Sequence, residues 1–142
     1  MPRSGESQAS LEADSDPYPC RTIAQRIAEF SGHGWAEVLT RTSPRTAKHS
    51  IAGNKVGLVA TPVAPDWRHV VLVDDTLTSG ATLMACALRL REAGFAGRIH
   101  ALCVGRTVDR AEKLARHAVR TRVELVWDRR SDRPEQIDLG GW

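Results

Sequence analysis

One stretch decides the fold: Val70-Val71-Leu72-Val73-Asp74-Asp75-Thr76-Leu77-Thr78-Ser79-Gly80-Ala81-Thr82. Its first four residues are β-formers, and this apolar run predicts a central strand of a parallel sheet, buried on both faces. Asp74 and Asp75 are expected to end the strand, where parallel strands open into a ligand crevice. A short loop of hydroxyl residues and one glycine then leads into a predicted helix over 83–93. Such a connection presents backbone N–H groups and a helix N-terminus to a phosphate.

All thirteen residues resemble the phosphoribosyl-pyrophosphate (PRPP) signature of type I phosphoribosyltransferases. The resemblance implies that Asp74 and Asp75 hold the 2′- and 3′-hydroxyls of the ribose. It also implies that the 5′-phosphate is cradled by the loop residues Thr76, Leu77, Thr78, Ser79, Gly80, Ala81 and Thr82. These roles suit the residue types, because carboxylates accept hydrogen bonds from a diol, whereas N–H and O–H groups donate them to a phosphate.

Three other interpretations of this stretch fit less well. A receiver domain needs a phospho-acceptor aspartate further along the chain, but the stretch Ala118-Val119-Arg120-Thr121 contains none. A Walker P-loop needs a lysine after its last glycine, and Ala81 stands there instead. One aspartate could simply cap the following helix, but two side by side are more than a cap requires.

Length and composition indicate a flexible N-terminal segment followed by one folded domain. The chain has 142 residues, of which 42% are hydrophobic and 26% charged, as in an ordinary globular domain. Residues 1–20 hold one basic and four acidic residues with three prolines, and we expect them to be disordered. Residues 21–142 are expected to form a single phosphoribosyltransferase-like domain. Its excess of basic residues suits an anionic ligand.

Several classes of protein are disfavoured by what the sequence lacks. No apolar run is long enough for a membrane span, and the N-terminus lacks the apolar core of a signal peptide, which favours the cytoplasm. The three cysteines show no zinc-site spacing and are expected to be reduced thiols. There is no dense Lys/Arg run with interleaved aromatics, so nucleic acid is not expected as a direct ligand.

Hydrophobic periodicity predicts alternating helices and strands along the rest of the chain. The predicted elements are a helix over 22–30, strands over 35–40 and 56–61, the central strand, the helix over 83–93 ended by Gly94, a strand over 98–106, a helix over 108–120, a strand over 123–127 and a charged tail over 128–134. The unit 70–106 is expected to be a right-handed βαβ.

Two further segments are candidates for contact with substrate. The polar, basic loop over 41–54 corresponds in order to the flexible loop that closes over PRPP in the family, so Arg45 and Lys48 are candidates to reach the pyrophosphate. An ordinary solvated surface loop is the alternative. Trp127 could stack on a base, although a tryptophan on a strand is more often simply half-buried.

The wider resemblance covers about residues 22–107 and is closest to the ComF-like branch of the family. It implies an α/β fold, a Rossmann-like parallel sheet flanked by helices, here without the family's first strand and its pyrophosphate loop. The implied reaction transfers ribose 5-phosphate from PRPP to a nitrogen base and releases pyrophosphate.

In that reaction Mg²⁺ binds through PRPP rather than directly to the protein, while Lys48 or Arg45 would offset the charge on the leaving group. The alternative is a non-catalytic PRPP- or nucleotide-binding module, an accessory to DNA uptake or regulation. The family often dimerises, so a homodimer is an expected partner state. The acceptor base is not specified by the sequence.

Overall fold

The computed structural model describes residues 19–44, 46, 49–64, 66–107 and 121–141. Nine elements follow one another: α1 (Pro19–Ser31), β1 (Leu39–Arg41), α2 (Ile51–Lys55), β2 (Leu58–Ala60), β3 (His69–Leu77), α3 (Ala81–Glu92), β4 (Arg98–Arg106), β5 (Thr121–Asp128) and β6 (Arg133–Gly141). The described residues therefore form a mixed α/β structure. The predicted helix over 108–120 lies outside them. Among the described helices, none is both long and apolar enough to cross a membrane.

The chain divides into two compact units, Met1–Trp35 and Ala36–Trp142. The described part of the first unit is helix α1 and the residues that follow it. This helix confirms the predicted one and extends it at both ends, with Arg26 and Glu29 paired on its exposed side. Phe30, in the last turn of this helix, is 91% exposed.

The described residues of the second unit form three small sheets of two strands each. Strands β3 and β4 pair in parallel, from His69 opposite Arg98 to Leu77 opposite Arg106. Helix α3 connects them, which confirms the predicted strand–helix–strand unit with its parallel pairing. The pairs β1–β2 and β5–β6 are antiparallel.

Helix α3 ends at Glu92, two residues before Gly94, which the sequence predicted would end it. Gly94 has a φ of +93° and its N–H donates to the carbonyl of Arg91, while the N–H of Phe95 donates to the carbonyl of Leu90. These two bonds form a Schellman motif, in which a left-handed residue satisfies the last carbonyls of a helix. The buried Phe95 then joins Leu90 in the core.

Two apolar clusters form the core of this unit. The first consists of Leu72, Leu77, Leu83, Leu90 and Phe95. The second consists of Ile51, Leu58, Ala81 and Ala85. Because helix α3 supplies residues to both clusters, its amino-terminal end is held firmly against β3 on one side and α2 on the other.

Three predictions about secondary structure were wrong. Strand β3 is not buried on both faces, since Val71 is 53% exposed and Val104 on β4 is 72% exposed. The loop over 41–54 contains helix α2, whose N-cap Ser50 accepts a hydrogen bond from the Gly53 N–H. The charged tail over 128–134 is instead a turn followed by strand β6, which pairs with β5.

Candidate functional site

The predicted acidic pair lies within strand β3 rather than after it. The ladder to β4 continues past both aspartates, with Asp74 opposite Cys103 and Thr76 opposite Gly105. The expectation that Asp74 and Asp75 end the strand is therefore wrong. A carboxylate oxygen of Asp74 and one of Asp75 lie within 4.8 Å of each other, so the two side chains form one acidic pair.

The two aspartates differ in exposure. Asp74 is half-buried, two residues after Leu72, which packs in the cluster formed with α3. Asp75 is exposed, and its backbone N–H donates to Asp74 Oδ1 at 3.1 Å. Asp75 is therefore the carboxylate that solvent or a ligand reaches more easily.

Cys86 reports on the electrostatic surroundings of Asp74. Burial first, and then the negative charge of Asp74, raise the pKa of the Cys86 thiol, which is about 11 with the Arg41 guanidinium acting in the opposite direction. Arg41 is fixed by two hydrogen bonds, to the carbonyls of Asn54 at 3.0 Å and Val56 at 3.1 Å. A guanidinium from β1 is thus held where its charge acts on Cys86.

The predicted phosphate loop divides into three parts in the structure. Thr76 and Leu77 are the last residues of β3, Thr78 to Gly80 form the connection, and Ala81 and Thr82 lie in the first turn of α3. Gly80 has a φ of +85°, a left-handed conformation that glycine adopts without strain. The Ser79 hydroxyl accepts a hydrogen bond from the Ala81 N–H at 3.3 Å.

This connection brings the amino-terminal end of a twelve-residue helix to the carboxyl end of β3. The first N–H groups of a helix have no partner within it, and the helix dipole places partial positive charge there. The geometry therefore suits an anion. The first turn of α3 is also bonded to α2, since the Thr82 hydroxyl donates to Asn54 Oδ1 at 3.1 Å.

The β5–β6 hairpin lies on this connection. Gln136 Nε2 donates to the Thr78 carbonyl at 2.5 Å. The side chain of Leu125 lies so close to Gly80 that a β carbon built there would be 2.8 Å from Leu125 Cδ2. Leu125 and Gln136 are cross-strand partners, so one position of the hairpin makes both contacts.

The turn of the same hairpin is attached to α2. Asp132 Oδ2 accepts hydrogen bonds from the Ser50 hydroxyl at 2.5 Å and the Ala52 N–H at 2.8 Å. Its carbonyl accepts one from the Ile51 N–H at 3.0 Å. The Ser50 hydroxyl first, and then the Ala52 N–H, lower the pKa of the Asp132 carboxyl.

The remaining predicted site residues stay untested. Arg45 and Lys48 lie outside the described residues. Trp127 is half-buried against the second core cluster, with the Arg129 guanidinium 5.8 Å from its ring centroid. This position fits an ordinary half-buried tryptophan on a strand better than it fits an exposed ring on which a base could stack.

The structure adds three residues that the sequence analysis did not select: Arg41, Asn54 and Gln136. Each reaches the site through tertiary contacts, and no local motif marks them. Asn54 was part of a stretch expected to be a loop, yet it is fully buried between α2 and α3.

No protein-family model, curated protein or solved structure matches this chain. The functional interpretation therefore depends on the sequence motif and on the geometry described above.

Proposed function

We propose that this protein binds PRPP at the carboxyl end of β3 and transfers its ribose 5-phosphate to a nitrogen base, releasing pyrophosphate. One observation carries the proposal: an exposed carboxylate, Asp75, lies on the strand that leads directly into the amino-terminal end of α3. A phosphorylated sugar needs both features together, an acceptor for its hydroxyls and a positive helix end for its phosphate. We further propose that β3 and β4 belong to the Rossmann-like parallel sheet of a type I phosphoribosyltransferase, and that α3 is one of the helices that flank it.

The two aspartates would have unequal roles. Asp75 is exposed and would accept hydrogen bonds from the ribose diol. Asp74 is half-buried and its charge acts on Cys86, so it would contribute mainly charge, and its Oδ1 would hold the Asp75 backbone N–H. The hydroxyls of Thr78 and Ser79 would add donors for the 5′-phosphate.

Magnesium fits the same arrangement. Mg²⁺ prefers oxygen ligands and is usually held by one or two carboxylates together with substrate phosphates. Asp75 would be the side chain nearest to such an ion, and when bound the ion would neutralise charge on the pyrophosphate. Arg45 and Lys48 remain candidates for the same task from the neighbouring loop.

A non-catalytic PRPP- or nucleotide-binding module is the second candidate. It is favoured by the hairpin over the loop, because Leu125 occupies the space beside Gly80 and Trp127 packs into the core instead of offering its ring to a base. Binding would then control an interaction, with no base consumed.

Ligand binding is tested by the melting temperature with Mg²⁺ and increasing PRPP. A ligand that binds only the folded state raises that temperature by mass action. The double variant Asp74→Asn/Asp75→Asn should lose the shift, and Asp75→Asn alone should lose most of it. Asp128→Asn, an exposed acid in the hairpin turn, is the matched control and should keep the full shift. No shift in the parent protein at millimolar PRPP would overturn the proposal.

Catalysis is tested separately by pyrophosphate release. The protein is incubated with PRPP, Mg²⁺ and each common purine or pyrimidine base. A transferase releases pyrophosphate faster with its own base, because attack and departure are coupled. Binding without release for every base would replace the transferase with the binding module.

A further inference from the structure

The hairpin β5–β6 connects two parts of the second unit that are far apart in sequence. Its turn contacts α2 through Asp132, and its paired residues Leu125 and Gln136 contact the connection between β3 and α3. Gln136 lies four positions after Asp132, about 13 Å along a strand. Because so short a length of paired strand joins the two contacts, movement at the turn is expected to reach the connection between β3 and α3.

The contacts at the two ends differ in strength. At the turn, the Asp132 carboxylate and carbonyl together accept three hydrogen bonds from consecutive residues, Ser50, Ile51 and Ala52. Two of these bonds go to a charged acceptor, and such bonds are roughly twice as strong as neutral ones. At the connection there is one hydrogen bond, from Gln136 to the Thr78 carbonyl, and one apolar contact, from Leu125 to Gly80.

The covered residues are those that an anion would have to reach. Gly80 and Ala81 are buried, and Ala81 begins the first turn of α3. The Leu125 side chain offers no hydrogen bond to the N–H groups of that turn. An anion that uses them must displace this side chain, which requires the hairpin to move.

We propose that the β5–β6 hairpin is a hinged cover over the anion-binding end of α3, and that Asp132 is the latch that holds it closed on α2. The inference rests on the proposed function, because it assigns regulation to the same site. Closed and open forms are in equilibrium, and the apparent affinity for a phosphate ligand is reduced by the fraction of molecules that are open. A change that releases Asp132 opens the cover and raises that affinity.

The latch is tested by Asp132→Gly. Asp132 has a φ of +52°, which glycine also adopts, so the backbone of the turn is kept while both carboxylate hydrogen bonds are lost. Asp128→Gly is the matched control, because that carboxylate bonds only within the turn, to the Arg130 N–H and the Ser131 hydroxyl. Any loosening of the turn itself is then common to both variants.

Two measurements are made on each full-length variant. The first is amide hydrogen exchange of the peptide covering residues 78–83. We expect Asp132→Gly to exchange at least tenfold faster than the parent, and Asp128→Gly to change less than twofold. The second is the affinity for PRPP with Mg²⁺, which should rise several-fold in Asp132→Gly alone.

A second variant opens the other end of the cover. Gln136→Ala removes the bond to the Thr78 carbonyl without touching α2, and Gln136 is only half-buried, so the variant should fold even if Asp132→Gly does not. It too should accelerate exchange over 78–83.

Unchanged exchange in Asp132→Gly and Gln136→Ala would overturn the cover whether or not PRPP binds. Accelerated exchange without PRPP binding in any variant would support the cover and overturn the proposed function.

Discussion

Leu125 Cδ2 would lie 2.8 Å from a β carbon at Gly80, closer than such atoms can approach. Gly80 therefore suits this position for two reasons: its backbone is left-handed, and Leu125 fills the space that a larger side chain would need. A residue 45 positions further along the chain thus limits the size of the side chain at position 80. The consequence is that the first turn of α3 and the hairpin must be considered together.

Gly80→Ala is expected to destabilise the fold more than Gly94→Ala. Both glycines have positive φ, +85° and +93°, but a β carbon at Gly94 meets nothing within 4 Å. Gly94→Ala should cost about 1–2 kcal/mol, the price of a left-handed backbone for an L-residue. Gly80→Ala should cost a further ~1–3 kcal/mol, because it overpacks the contact with Leu125. Urea unfolding of the two variants measures the difference.

The double variant Gly80→Ala/Leu125→Ala isolates the contact. Residues in contact are not additive, so its loss should be smaller than the sum of the two single losses. Equal losses for Gly80→Ala and Gly94→Ala, together with strict additivity, would contradict the close packing of Leu125 on Gly80.

Asn54→Ala is expected to reduce the free energy of unfolding by about 1–3 kcal/mol, because it removes two hydrogen bonds of a fully buried side chain, one of them with the half-buried Thr82 hydroxyl. Asn54 is fully buried, its Nδ2 donates to the Ser50 carbonyl and its Oδ1 accepts from Thr82. Thr42→Val is the control, since it removes an exposed hydroxyl bond to the Gly57 carbonyl, and it should change stability much less. Similar effects of the two changes on urea unfolding would argue against the Asn54 bridge.

The unit from β3 to β4 could be predicted from sequence because its signals are local. Strand β4 has the predicted bounds, and α3 begins two residues earlier than the apolar pattern alone suggests. The position of the aspartates was mistaken because charged residues ordinarily signal the end of a buried strand. Here the ladder with β4 carries the strand on to Leu77, where an apolar side chain anchors it in the core.

The elements that were missed depend on contacts between distant residues. Helix α2 has five residues, including Gly53 and Asn54, and owes its first turn to Ser50 and to Asp132, some 80 residues away. Strand β6 contains Pro134 and ends in two glycines, a composition typical of a loop, yet it pairs with β5. For the same reason no local pattern indicated that Gln136 would contact the predicted phosphate loop.

Cys86 is expected to make the fold less stable at alkaline pH. Burial, helped by the charge of Asp74, raises the pKa of the thiol from 9.0 to about 11. The native state then keeps a proton that the unfolded chain loses above pH 9. Stability is therefore full below pH 9 and falls as pH rises towards 11, by about 3 kcal/mol in total. Chemical unfolding at pH 8, 9, 10 and 11 should show this slope, and Cys86→Ala should show less of it. The same slope in both proteins would contradict the shift.

The same thiol tests whether the two aspartates differ in their electrostatic effect on the core. Asp74 is half-buried and raises the pKa of Cys86, whereas Asp75 is exposed and its charge is better screened by solvent. Asp74→Asn should therefore lower the pKa of Cys86, and Asp75→Asn, with the same change of charge one residue away, should leave it close to the parent value. The pKa is read from the pH dependence of alkylation in a background with Cys20→Ser and Cys103→Ala, which leaves one cysteine to react. If the two variants shift the alkylation curve equally, the two carboxylates act equally on the core and the unequal roles proposed for them at the ribose have no basis.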